Sequence, residues 1–104
     1  MTAREAVMAL AARAWRGELA TAQRAMREAR EYYVRGWRDL ALGRVFWAGV
    51  CLGRAREYLR DLPREEAARA WLEIQREQEA LEAQAMALAG VPADREPVKV
   101  GGTT

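Results

Sequence analysis

Apolar or small residues recur along the first fifty positions at alternating spacings of four and three, without a slip. This heptad pattern is typical of a helix that packs one side against a partner helix. We call this row the seam, and it consists of Met8, Ala12, Trp15, Leu19, Ala22, Met26, Ala29, Tyr33, Gly36, Leu40, Gly43, Trp47 and Val50. The pattern predicts an all-α protein whose first helix runs over about residues 3–61 with a coiled-coil-like seam.

Signals for helix ends divide the chain. Thr2 and Glu5 have the spacing of a capping box, in which each side chain bonds the other's backbone amide. Pro63 suits the start of a second helix over 64–89, and Gly90 suits its end. The chain is thus predicted to be a long helical hairpin forming one domain over 1–90, followed by an extended or disordered tail over 91–104.

The segment from Gly36 to Asp39 leaves an alternative open. Glycine can end a helix, and Asp39 could cap a new helix at Leu40. A break near 36–40 would produce a three-helix bundle able to close as a monomer. The unbroken phase of the seam through 36–43 favours the single long helix, about 90 Å in length.

In the long-helix arrangement, helix 64–89 folds back along 36–61 and leaves residues 3–35 without a partner in their own chain. Burying one large apolar side chain contributes roughly 1.5–3 kcal/mol, so an uncovered seam favours association. The chain is therefore predicted to form homo-oligomers. The candidate oligomer seam comprises Met8, Trp15, Leu19, Met26, Tyr33 and Trp37.

Residues 40–53 are apolar on nearly all sides, with Arg44 as their one charge. Fourteen residues fall short of the roughly 20 that span a bilayer, and a central arginine is costly there. The pattern predicts a helix buried at the centre of a bundle or oligomer, and membrane insertion is disfavoured.

The composition narrows the function. The chain has 22 Ala and 16 Arg, one Cys, and no His, Ser or Asn, which excludes serine and cysteine–histidine triads and the usual zinc sites. We therefore predict a non-enzymatic protein without cofactor or metal. Charges at Arg4, Glu5 and Arg13 interrupt any signal peptide, which favours a cytoplasmic or virion-associated protein. The lack of Asn and Ser is compatible with a thermophilic source.

One local pattern repeats three times at a spacing of eleven residues, namely arginine, a small residue, Trp or Met, and arginine. Eleven residues make about three helical turns, so the arginines stay on one side of the helix. This arginine ridge consists of Arg13, Arg16, Arg24, Arg27, Arg35 and Arg38. Three interpretations remain open: binding of nucleic-acid phosphates, pairing with the acidic second helix of a neighbouring copy, and a solvated helix face.

These patterns predict a self-assembling helical structural protein, such as a virion, filament or scaffold component, with nucleic-acid phosphates as a candidate ligand. The alternative is a small helical regulator or accessory subunit, or a nucleic-acid-binding module, that docks on a larger complex. A sharp bend at 36–40 would favour the accessory subunit, because such a bundle covers its own seam.

Overall fold

The computed structural model describes residues 1–90, which contain helices and no strand. Helix α1 spans Ala3–Val34, α2 spans Arg38–Glu57 and continues into a 3₁₀ turn over Tyr58–Asp61, and α3 spans Arg64–Leu88. The predicted all-α class is confirmed. The predicted tail over 91–104 lies outside the described residues.

Local signals set the outer helix ends. The Glu5 amide donates to Thr2 Oγ1 at 3.1 Å and the Thr2 amide to Glu5 Oε1 at 2.8 Å, so the predicted capping box is present. Pro63 is the residue before the first turn of α3. Gly90 follows α3 with φ of 86°, in the left-handed region that favours glycine, and its amide bonds the carbonyl of Ala87.

The chain breaks between α1 and α2, so the predicted continuous helix over 3–61 is wrong and the three-helix alternative is found. Gly36 adopts φ of 82°, its amide donates to the Tyr33 carbonyl, and the Trp37 amide donates to the Tyr32 carbonyl. These two bonds form a Schellman motif, which Tyr32 and Trp37 complete with ring centroids 5.9 Å apart. Asp39 lies in the first turn of α2 and does not cap it.

The three helices alternate in direction. Ion pairs of Glu18 with Arg54 and of Glu28 with Arg44 show that α1 and α2 are antiparallel. The Arg38 guanidinium donates to the Leu88 carbonyl at 2.6 Å, which places the start of α2 beside the end of α3. The predicted return of the last helix along residues 36–61 is thus confirmed, whereas the prediction that residues 3–35 lack an intramolecular partner is wrong.

Small residues dominate the contact between α1 and α2, which pack closely. The fully buried row of α2 holds Cys51 and Leu52 among alanines, and the facing row of α1 holds alanines around Trp15 and Met26. Alanine side chains let two helix backbones approach, and Leu52 of α2 and Ile74 of α3 are the largest fully buried side chains of residues 1–90. The core alanines are Ala11, Ala22, Ala25, Ala29, Ala41, Ala48, Ala55 and Ala70.

We expect Gly36→Ala to destabilise the protein by about 1–2 kcal/mol, because a Cβ is strained at positive φ. Urea unfolding followed by circular dichroism measures this change. Gly17→Ala is the matched control, since Gly17 is helical with open space at its Cβ position. That control should be stabilising by about 0.5–1 kcal/mol. Equal effects of the two substitutions would contradict the role given to Gly36.

Candidate interaction surfaces

Four arginines of the predicted ridge lie together on the solvent side of α1. At 100° per residue, their positions fall opposite the buried row that contains Trp15 and Met26. All four residues are exposed. We call this surface the arginine face, and it consists of Arg13, Arg16, Arg24 and Arg27.

The break separates the other two predicted arginines from this face. Arg35 is the C-cap residue that follows α1, and its guanidinium lies 5.3 Å from the Trp37 ring centroid. Arg38 begins α2 and bonds the last carbonyl of α3. Arg35 and Arg38 therefore support the turn and the end of the bundle, and the ridge of six becomes a face of four.

Acidic residues of α1 are partly neutralised from α2. Arg44 lies 3.3 Å from Glu28, and Arg54 lies 4.0 Å from Glu18. On the arginine face itself, Arg16 reaches Glu66 of α3 at 3.7 Å. Within residues 1–90, the other three arginines of the face form no salt bridge. The face therefore carries an excess of positive charge.

A second surface lies on α2, on the side away from the core. Phe46 is 75% exposed there, its neighbour Leu42 is exposed, and its neighbour Val50 is half-buried. We call this surface the apolar face of α2, and it consists of Leu42, Gly43, Phe46, Val50 and Gly53. The prediction that residues 40–53 are buried on all sides is therefore wrong within a single chain.

Two glycines flank Phe46 on this face. A Cβ added to Gly43 or Gly53 would meet no heavy atom within 4 Å. Glycine inside a helix is destabilising by about 1 kcal/mol relative to alanine. Because an alanine would fit at both positions, packing within the described chain does not explain why they are glycine. Their absent side chains leave shallow hollows on both sides of an exposed aromatic ring.

The candidate oligomer seam is divided by the fold. Trp15, Leu19 and Met26 lie in the core between the helices of one chain. Met8 is half-buried near the start of α1, and Tyr33 and Trp37 are about half exposed near the turn. Three of the six residues are thus used for intramolecular packing.

Each tryptophan is accompanied by an arginine, which sequence reasoning missed. The guanidinium carbons of Arg16, Arg35, Arg54 and Arg56 lie 5.2–5.7 Å from the ring centroids of Trp15, Trp37, Trp47 and Trp71, respectively. Proteins contain roughly one strong pair of this kind per 70–80 residues. Only the Arg35–Trp37 and Arg16–Trp15 pairs are close enough in sequence to be anticipated.

Cys51 is a free cysteine and is fully buried. Burial raises the pKa of the Cys51 thiol above its ordinary value, and the nearby carboxylate of Glu18 raises it further. The thiol is therefore held in its protonated, unreactive form.

Comparisons of the chain with protein-family models, with curated protein sequences and with solved structures find no match. Among the helices of residues 1–90, none combines the length and the apolar character needed to cross a membrane. Any assignment of function therefore rests on the two surfaces.

Proposed function

We propose that the protein is a non-enzymatic helical structural unit whose copies associate through the apolar face of α2. The observation that carries this proposal is Phe46, which is 75% exposed between two glycines that the single chain does not require. Scaffold, filament and virion components are proteins of this kind. Because the seam of α1 is largely buried within one chain, the proposed association rests instead on the apolar face of α2.

The energetics favour covering this face. Removing one phenylalanine side chain from water contributes roughly 1.5–3 kcal/mol, and a symmetric pair buries two such rings. The glycine hollows allow a second helix to approach closely enough to enclose the ring. An interface between copies thus recovers the stability that the two glycines cost each chain.

Charge supports an antiparallel pairing of the two α2 helices. Placing Phe46 opposite Phe46 of the second copy brings Leu42 opposite Val50, and Asp39 opposite Gly53, so the carboxylates of the two copies are kept apart. A parallel pairing would instead align Asp39 with Asp39 and Glu57 with Glu57, which is repulsive. Antiparallel helices also align their dipoles favourably.

Light scattering coupled to size exclusion tests association. At a protein concentration of about 100 µM, a dimer of moderate affinity is populated. The measured molar mass should therefore exceed the 11.7 kDa of one chain. Phe46→Glu should yield the monomer mass with unchanged helix content, because a carboxylate is costly to bury in an apolar interface. Leu72→Glu is the matched control, since Leu72 is 61% exposed on α3 and should leave the mass unchanged. Equal dissociation by both variants would contradict the proposal.

The second candidate function is an accessory subunit that docks on a larger complex through the same face. The bend at Gly36 favours it, because the bundle covers the seam of α1 without a second copy. A wild-type monomer at 100 µM would exclude self-association at that face and leave this candidate. Self-association that Phe46→Glu abolishes would favour the self-assembling structural unit.

A further inference from the structure

We propose that the arginine face of α1 binds the phosphate backbone of nucleic acid without reading its sequence. This site is separate from the apolar face of α2 and does not depend on self-association. The four arginines are exposed and lie on one side of the 32-residue helix α1. Arg16 also contacts Glu66 of α3 and the Trp15 ring, whereas Arg13, Arg24 and Arg27 form no salt bridge within residues 1–90.

The spacing of the face suits a linear polyanion. Arg13 and Arg16 form one pair, Arg24 and Arg27 form another, and equivalent members are eleven residues or about 16.5 Å apart. The surface between the pairs holds Gly17 and Ala20, and no heavy atom lies within 4 Å of a Cβ added to Gly17. A phosphate backbone can therefore approach the helix between the pairs without steric obstruction.

The charge environment supports the same ligand. Glu18 and Glu28, the acidic residues of α1 between Arg13 and Arg30, are engaged by Arg54 and Arg44 of α2. The arginines of the face thus retain a positive field rather than pairing with acids of their own helix. Glu31, which is exposed on the same side, bounds the face at its carboxyl-terminal end.

The chemistry favours nucleic acid over the other polyanions. Each guanidinium offers a planar fork of donors that matches two phosphate oxygens. A membrane surface would require apolar side chains among the arginines, as in interfacial helices, and this face has glycine and alanine there. An arginine guanidinium packs over each tryptophan ring, so we assign no base stacking to these rings.

Fluorescence anisotropy with a labelled 20-base-pair duplex tests the site. Four phosphate contacts predict that affinity falls by about 150-fold between 50 and 200 mM salt. Replacing the four arginines together by glutamine should weaken binding by about tenfold or more at 50 mM salt and remove most of the salt dependence. The matched control replaces four other exposed arginines by glutamine, so that it lowers the net charge by the same amount as the first variant. These arginines are Arg60, Arg64, Arg69 and Arg76.

The control should weaken binding by less than about threefold, because it lowers only the overall charge. Circular dichroism of both variants verifies that the helices are retained. Three results would overturn the proposal: no binding to the duplex at 50 mM salt, equal weakening by both variants, or displacement of the duplex by polyglutamate as efficient as by unlabelled duplex. The last result would assign the face to an acidic protein surface.

Discussion

Replacing Trp15 by alanine is expected to destabilise the protein by about 3–5 kcal/mol, the range for a large aromatic residue removed from a packed core. Trp15 is 2% exposed and belongs to the core cluster that joins the three helices. Small domains have a total unfolding free energy of about 5–15 kcal/mol, so this variant should be close to unfolded at 37 °C. Urea unfolding followed by circular dichroism measures the loss.

Trp71→Ala is the matched control for Trp15, because it removes the same side chain at a position 44% exposed on α3. Its expected cost is below about 1.5 kcal/mol. Trp15→Phe adds a second comparison, since the Trp15 indole nitrogen has no acceptor within the described chain and phenylalanine loses no hydrogen bond there. A Trp15→Ala cost no greater than that of Trp71→Ala would contradict the assigned core.

The second large effect is expected at the alanine contact between α1 and α2. Ala48→Leu adds three carbon atoms at a position with no exposed surface, so it should force the two helices apart. Overpacking of this kind typically costs 1–3 kcal/mol, or about 2 kcal/mol here. Thermal unfolding followed by circular dichroism measures it, with a fall of roughly 4–8 °C expected for each kcal/mol.

Ala68→Leu makes the same substitution on an exposed position of α3 and should change stability by less than about 0.5 kcal/mol. The contrast depends on the closeness of the two backbones, because a helix pair separated by larger side chains would accept leucine. An Ala48→Leu variant as stable as Ala68→Leu would show that α1 and α2 do not meet at this row.

Helix ends were predictable where the deciding interactions are local. The capping box of Thr2 and Glu5, the start of α3 after Pro63 and the left-handed Gly90 each depend on residues within four positions of one another. The antiparallel return of α3 along α2 was also predictable, because a short turn between two helices permits little else.

The sequence pattern favoured a continuous helix through Gly36 for a physical reason. A heptad row keeps its phase whether or not the backbone bends, so the periodicity of Tyr33, Gly36 and Leu40 carried no information about the bend. The deciding interactions are the amide bonds of Gly36 and Trp37 and the packing of Trp37 on Tyr32. Asp39 offered a plausible cap, but the helix begins one residue before it.

The buried side of α2 could not be chosen from sequence because α2 is apolar on two rows. The row that continues the seam includes Leu40 and Gly43, and the structure leaves both exposed. The row that it buries includes Val45, Ala48 and Leu52 instead. The unpartnered apolar surface that the sequence predicted on α1 is therefore found on α2.

The arginine face was predictable in part. Arg13, Arg16, Arg24 and Arg27 lie on one helix, so their common side follows from helical geometry alone. The neutralising pairs of Glu18 and Glu28 with α2 depend on how two helices meet, which no local pattern reports. Tertiary structure thus turned an ambiguous mixture of charges into a distinctly basic face.

Within residues 1–90, the three helices alternate in direction, so the first and last helix ends lie at opposite ends of the bundle. Thr2 lies at the end of α1 that is far from Gly36, whereas Leu88 lies beside Arg38 at the Gly36 end, so the two termini of the bundle are separated by about 48 Å of helix. A fusion partner attached at Thr2 would be remote from Leu88. In an antiparallel pair of copies, each end of the assembly would hold Thr2 of one copy and Leu88 of the other.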